Sequence, residues 1–189
     1  MDLLTHPEDS DTVRIKRMIL SQAVALAMPG VPGIYFHSLV GSRNYHHGVE
    51  MTGINRSINR QKIFWHKLKE SLDTQGSLES IIFHTIKKLL SIRIHEPAFN
   101  PFGSFSFPEL HEAVFAIIQD AIDGTSRIVA LHNLSDCEVF VTIPDFSKKG
   151  TNLLNHEEVS APDITLSAYE IAWIKFETIP QSNKETHHD

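Results

Sequence analysis

The chain has 189 residues, a formal charge of -6 spread along its length, 41% apolar residues and a single cysteine, Cys137. That length suits one domain or two small ones with a core. The basic residues at 14–17, 60–69 and 87–93 are interrupted by apolar or acidic neighbours, which argues against a nucleic-acid surface. One cysteine excludes an internal disulfide, the acidic N-terminus carries no signal-peptide core, and the longest apolar run, Ala23 to Met28, falls far short of a membrane span. The chain therefore reads as cytoplasmic.

Asp9-Ser10-Asp11 offers N-cap side chains, and Ile15, Met18, Ile19, Ala23, Val24, Leu26 and Ala27 fall on helical spacing, so a helix is expected over Thr12 to Met28. Pro29-Gly30 stops it. The apolar run Ile34-Tyr35-Phe36, which does not alternate with polar residues, reads as a strand of a parallel α/β unit. No second such strand is present to cover it, so the domain reads as incomplete. Leu39 to Arg60 reads as a polar loop, rich in fixed hydrogen-bond donors at Gly41-Ser42-Arg43-Asn44 and Asn55-Arg56-Ser57-Ile58-Asn59-Arg60. This inventory suits binding better than bond breaking.

Helices are expected over Gln61 to Leu72, with Ile63, Leu68 and Leu72 inward, and over Ser77 to Ile94, with Leu78, Ile82, Ile86, Leu89 and Arg93 on one face. Pro97 to Pro108 reads as an irregular connector whose Phe99, Phe102, Phe105 and Phe107 plug a domain junction. Beyond it the period changes to two. Val114–Ile118, Arg127–Asn133 across an Asp123-Gly124 turn, Cys137–Ile143 and Tyr169–Phe176 read as strands, with short segments at Leu153-Leu154 and Ile164–Leu166 and turns at Lys149-Gly150 and Ala161-Pro162. An antiparallel sandwich of about seventy residues follows from that spacing, with a polar tail after Ile179 expected to be disordered.

Four stretches together carry a resemblance: Ala27-Met28-Pro29-Gly30-Val31-Pro32-Gly33-Ile34-Tyr35-Phe36-His37-Ser38-Leu39, Gly41-Ser42-Arg43-Asn44, Arg56-Ser57-Ile58-Asn59-Arg60 and Arg93 to Pro101, with Ala168-Tyr169-Glu170 near the end. From about Asp2 to Phe176 the chain resembles the C-terminal portion of sucrose phosphorylase-like members of the α-amylase superfamily, glycoside hydrolase family 13. The resemblance implies an α+β chain: the C-terminal piece of a (β/α)8 barrel over 1–108, an antiparallel β-domain over 109–179 and a tail over 180–189. Ile34 to Ser38 would be the eighth strand, and the loop after it would lie on the face where barrel enzymes place their sites.

From spacing alone Arg56 reads as a surface arginine anchoring the loop; the resemblance reverses that and implies that it hydrogen-bonds the transferred glucosyl unit. Asn59 and Arg60 are expected to hold that loop in shape. Asn44 and Tyr45 follow as substrate-binding candidates, although the family usually has Asp where Tyr45 stands. His37 could touch substrate or bond its neighbouring backbone. Family members use three carboxylates on strands four, five and seven, and none of Asp2, Glu8, Asp9 and Asp11 matches them; capping and solvation account for these four.

The resemblance implies a fragment of a retaining glycoside phosphorylase, without turnover by itself, whose complete form takes a glucoside and phosphate. Two alternatives remain open: a non-catalytic subunit completing a barrel whose first strands lie on a separate N-terminal polypeptide, and a carbohydrate-binding or structural β-module, for which Trp65 and Trp173 are thin support. No cofactor is implied. His46-His47 and His187-His188 lack further ligands at metal spacing, and Cys137 reads as a small core residue.

Overall fold

The computed structural model describes residues 2–143 and 149–177. The expected tail over 180–189, with His187 and His188, lies outside the described residues. Two compact units divide the chain, Met1–Leu26 with Pro32–Ser91, and Ala27–Val31 with Ile92–Asp189.

The first unit is helical. Helix α1, Asp11–Ala27, starts where Ser10 Oγ accepts the Val13 N–H at 3.3 Å, and it buries Met18, Leu20, Ala23 and Leu26. It stops before Gly30, whose φ of 109° is closed to an L side chain. Helix α4, Trp65–Asp73, buries Leu68, while Ile63 and Leu72 are half-buried. Helix α5, Leu78–His95, begins behind Ser77, whose Oγ accepts the Ser80 N–H at 3.1 Å. Ile82, Ile86, Leu89 and Arg93 are buried along one face, with Lys87 and Lys88 exposed on the other.

Two expectations fail in this unit. Ile34–Ser38 is not a strand: the chain is extended through Tyr35 and then turns into the short helix α2, Phe36–Leu39. A strand is defined by its ladder, and an extended segment with no neighbour to bond has none. The polar loop, moreover, is mostly helical, with α3 over His46–Thr52 and a 3-10 turn over Asn55–Asn59. Gly53, with φ 65°, ends α3 in the left-handed conformation that glycine adopts freely.

The second unit is antiparallel β. Strands β1 (Phe105–Ser106), β2 (Val114–Asp120), β3 (Ser126–Asn133), β5 (Lys149–Asn152), β6 (Glu158–Ser160) and β8 (Ile171–Glu177) form one sheet in the order β1-β2-β3-β8-β5-β6. Strands β4 (Val139–Thr142) and β7 (Asp163–Leu166) form a second. Period-two alternation does what it predicts: Val139, Val141 and Ile143 are buried while Phe140 is exposed. With Ala116, Val129, Leu131, Leu166 and Ile174 they fill the core between the sheets.

The opposite face of the larger sheet is also buried. Ile117, Ile128, Ala130 and Trp173 are wholly enclosed there, with Phe99 packed on Trp173 at 4.9 Å between ring centres. Glu96, 7% exposed, accepts from Ser126 Oγ at 2.6 Å and the Ala98 N–H at 3.2 Å, and pairs with Lys175 Nζ at 3.1 Å. Beside it Arg93 donates to the Gly30 carbonyl at 2.5 Å and lies over the Phe99 ring. Burial lowers the pKa of the Arg93 guanidinium.

Three further expectations are corrected. Lys149-Gly150 opens strand β5 rather than a turn, because an added Cβ at Gly150 would lie 2.6 Å from Ile174 Cγ2, so glycine is what lets the neighbouring side chains in. Cys137 is exposed ahead of β4, its thiol donating to Asp136 Oδ1 at 3.3 Å; that bond raises the thiol pKa. Of the connector's phenylalanines only Phe99 is buried, while Phe102, Phe105 and Phe107 are exposed.

Candidate functional site

The candidate residues all lie in the helical unit, on the segment that runs from α2 to the 3-10 turn. His37, on α2, is half-buried and its Nδ1 lies 3.0 Å from Ser42 Oγ; Ser42 in turn donates its N–H to the His37 carbonyl at 2.8 Å. The imidazole therefore bonds a neighbour's side chain while the backbone closes the turn beneath it. Gly41, with φ 63°, makes that turn against α5: an added Cβ would meet Ile82 Cδ1 at 2.5 Å.

Asp2 clasps the next two residues. Its carboxylate accepts the Asn44 N–H at 2.7 Å and pairs with the Arg43 guanidinium. Burial pushes this carboxyl upward, but the Asn44 N–H, the Arg43 hydrogen bond and the Arg43 charge outweigh it and lower the pKa from its ordinary value. Capping and solvation thus fail to account for Asp2, and Asp9 and Asp11 instead pair with Arg17 and Arg14 at 3.0 Å and 3.1 Å around the start of α1. Nothing in the sequence marks the clasp, whose two ends are 41 residues apart.

Tyr45 is fixed at both ends of its peptide. Its N–H donates to the Ile58 carbonyl at 2.6 Å and its carbonyl accepts the Gly48 N–H at 3.1 Å. The ring lies against Gly48, where a Cβ would come within 2.2 Å of Tyr45 Cδ1. The Tyr45–Ile58 bond also ties the 3-10 turn to this residue, and Thr52 Oγ1, 2.8 Å from Ser57 Oγ, ties it to the end of α3. Arg56 sits on that turn, exposed, with no hydrogen bond or ion pair among the described residues. The turn is 3-10, so residues three apart share a face and the pairs Asn55/Asn59 and Arg56/Arg60 do not. It is the Asn59 carbonyl, accepting from Tyr35 Oη at 2.8 Å, that anchors the segment.

Two clefts flank this structure. One of about 610 Å³ is lined by Gln22, Tyr35, His37, Arg43, Asn44 and Asn59 among others. A second of about 510 Å³ is lined by Asn44, Tyr45, Lys62, Phe64, Lys67 and Glu79 among others. His37 and Asn44 thus share one cleft, Asn44 and Tyr45 share the other, and Arg56 lines neither. The Asn44 amide group has no partner among the described residues. The His37 imidazole, Asn44 amide and Tyr45 phenol are hydroxyl-binding groups bordering these clefts, the Arg43 guanidinium being engaged with Asp2 and Arg56 standing apart from both clefts. Among the described residues no group of three or more His, Cys, Asp or Glu could hold a metal ion, and no helix is long and apolar enough to cross a membrane.

No protein-family model matches the chain. It is 37% identical over 175 residues to a glucosylglycerate phosphorylase of Spirochaeta thermophila, covering 85% of this chain and 30% of that protein. It is 33% identical over 175 residues to the glucosylglycerate phosphorylase of Escherichia coli K12, covering 93% of this chain and 31% of that one. The chain thus spans about 30% of the length of the curated relatives it matches. Among solved structures it resembles the trehalose-6-phosphate hydrolase of Bacillus licheniformis, with a TM-score of 0.68 at 15% identity over 93% of this chain and 41% of that one, a likeness of fold. By sequence, the chain belongs with the C-terminal portion of sucrose phosphorylase-like members of the α-amylase superfamily, glycoside hydrolase family 13.

Proposed function

We propose that this chain is the C-terminal part of a cytoplasmic glycoside phosphorylase that transfers a glucosyl unit to and from phosphate, and that by itself it supplies binding groups without the reacting acids. The observation that carries this reading is the coverage: nearly all of this chain matches less than a third of each phosphorylase. A retaining enzyme of this kind needs a carboxylate nucleophile and a carboxylic acid about 5 Å apart across the glycosidic bond. In this reading both belong to barrel strands that precede the matched portion.

The segment from His37 to Arg56 is then part of the rim around the sugar. Arg56 is suited to it because its guanidinium is exposed and spends no hydrogen bond on the described protein. Asn44 is held by its backbone, which leaves its amide for a hydroxyl. Tyr45 offers a phenol where relatives of this family usually have a carboxylate, so it can hydrogen-bond a hydroxyl without bringing negative charge. The clasp by Asp2 sets where these groups stand and takes no part in the reaction.

Without a nucleophile the covalent route is closed, a deficit of many orders of magnitude rather than a weakened enzyme. Purified chain incubated with phosphate and either sucrose or glucosylglycerate is expected to release no glucose 1-phosphate above a heat-denatured control. Release that scales with protein concentration would overturn the reading.

A further inference from the structure

The larger sheet ends on two unlike edges. At β6 the edge is guarded by charge, since Glu157 and Glu158 are exposed and Lys149 Nζ pairs with Glu158 at 2.6 Å. At β1 it is bare. No charged residue stands between Pro97 and Pro108, and three rings of that stretch are open to solvent, Phe102 at 86%, Phe105 at 52% and Phe107 at 46%. Charge on an edge strand is what keeps two such edges apart, and β1 has none.

The backbone of β1 is turned toward a neighbour. The Ser104 carbonyl accepts the Asp120 N–H at 3.0 Å, so residue 104 directs its polar groups at β2. Phe105, opposite Gln119, is the next residue and directs its N–H and carbonyl outward, because the two directions alternate along an antiparallel pair. The Phe107 N–H and the Gly103 carbonyl have no hydrogen-bond partner among the described residues.

We infer that β1 pairs antiparallel with β1 of a second copy of this chain, about a two-fold axis at Phe105. In that register the Phe105 N–H and carbonyl meet the carbonyl and N–H of the copy's Phe105, an isologous contact that needs no second surface. Phe107 then lies opposite Gly103 of the copy, where no side chain obstructs its ring. Gly103 is itself glycine because an added Cβ would run into the Asp120 carbonyl. The rings also supply the area: at about 200 Å² each they expose roughly 370 Å² per copy, which with the strand backbone brings the pair near the ~1,000 Å² of a weak specific interface. A partner of different sequence is ordinarily selected by complementary charge, and this edge offers none.

The test is light scattering on the full chain from about 1 to 300 μM, with amide exchange read by NMR over the same range. The mass is expected to rise from one chain toward two, and exchange at Phe105 and Phe107 to slow by about tenfold or more in the dimer. Phe105→Glu sets two carboxylates opposite each other and Phe105→Lys two ammonium groups, so each variant alone is expected to lose about tenfold or more in association, while an equimolar mixture recovers it as a heterodimer. Both substitutions replace an exposed ring, and unchanged Trp173 fluorescence checks that the β-unit keeps its fold. The wild-type exchange rates decide the matter even where a variant does not fold. A chain that stays monomeric, which would leave the edge to a partner of another kind, overturns the inference. So does a dimer unmoved by either charge, or a mixture that fails to recover association. None of these outcomes bears on whether the chain alone is inactive, which the glucose 1-phosphate assay decides separately.

Discussion

Asp2 shows how a single carboxylate can set a loop. Because its folded pKa is lowered, the clasp on Arg43 and Asn44 contributes fully above the ordinary aspartate range and is lost as pH falls through the lowered folded value. The Asn44 amide resonance is expected to hold its position down through the pH range in which free aspartates titrate, and to shift only below it. Asp2→Asn should remove that behaviour and cost about 1 kcal/mol, a modest figure because the Arg43 partner is 55% exposed. Gly48→Ala probes the neighbouring residue. The added methyl meets the Tyr45 ring, a side chain that can rotate away, so the variant should fold with a loss of about 1–3 kcal/mol and an altered tyrosine signal in the near-ultraviolet circular dichroism. An unchanged signal would mean that the ring does not rest on Gly48. The Gly48 contact was not legible, because the stretch reads as a polar loop and the helix over His46–Thr52 that sets the ring against Gly48 carries no clear apolar period. Nor was the Asp2 clasp, because one charge at position 2 carries no periodicity that could point to position 43.

Among the elements, the β-unit was the most legible and the segment before α2 the least. Alternating Val139, Val141 and Ile143 named both the strand and its buried face, since a half-buried strand imposes a period of two on its side chains. Gly150 misled because glycine marks turns more often than it marks a close approach of neighbours within a sheet. Cys137 misled too, because its place next to an alternating run says nothing of where the strand begins. The clearest test at this scale is the buried acid that joins the end of α5 to the sheet. Glu96→Ala would leave Ser126 and Lys175 without their partner in an enclosed setting, and should cost roughly 3 kcal/mol in denaturant unfolding. Trp173, fully buried on that face, reports the transition by fluorescence. Glu96→Gln should recover part of the loss, since an amide still accepts from the Ser126 hydroxyl. A loss below about 0.5 kcal/mol for Glu96→Ala would show that the network is not holding the face.

At the scale of the whole molecule, hydrophobic pattern reaches the long helices and the antiparallel strands, and the resemblance adds the α+β class; the structure bears these out. They do not reach the state of Pro32–Tyr35, because a barrel strand is made by neighbours, and a segment rich in apolar residues becomes one only when they are present. The same fact underlies the account of function, in which this chain contributes sugar-binding groups to a centre whose acids stand elsewhere. An activated 2-deoxy-2-fluoroglucoside, which traps the nucleophile of a retaining glycosidase as a stable glycosyl ester, puts that question to every carboxylate in the chain at once. Intact-mass measurement after prolonged incubation is expected to show the unmodified chain alone. A stoichiometric glycosyl adduct on any Asp or Glu would contradict the account.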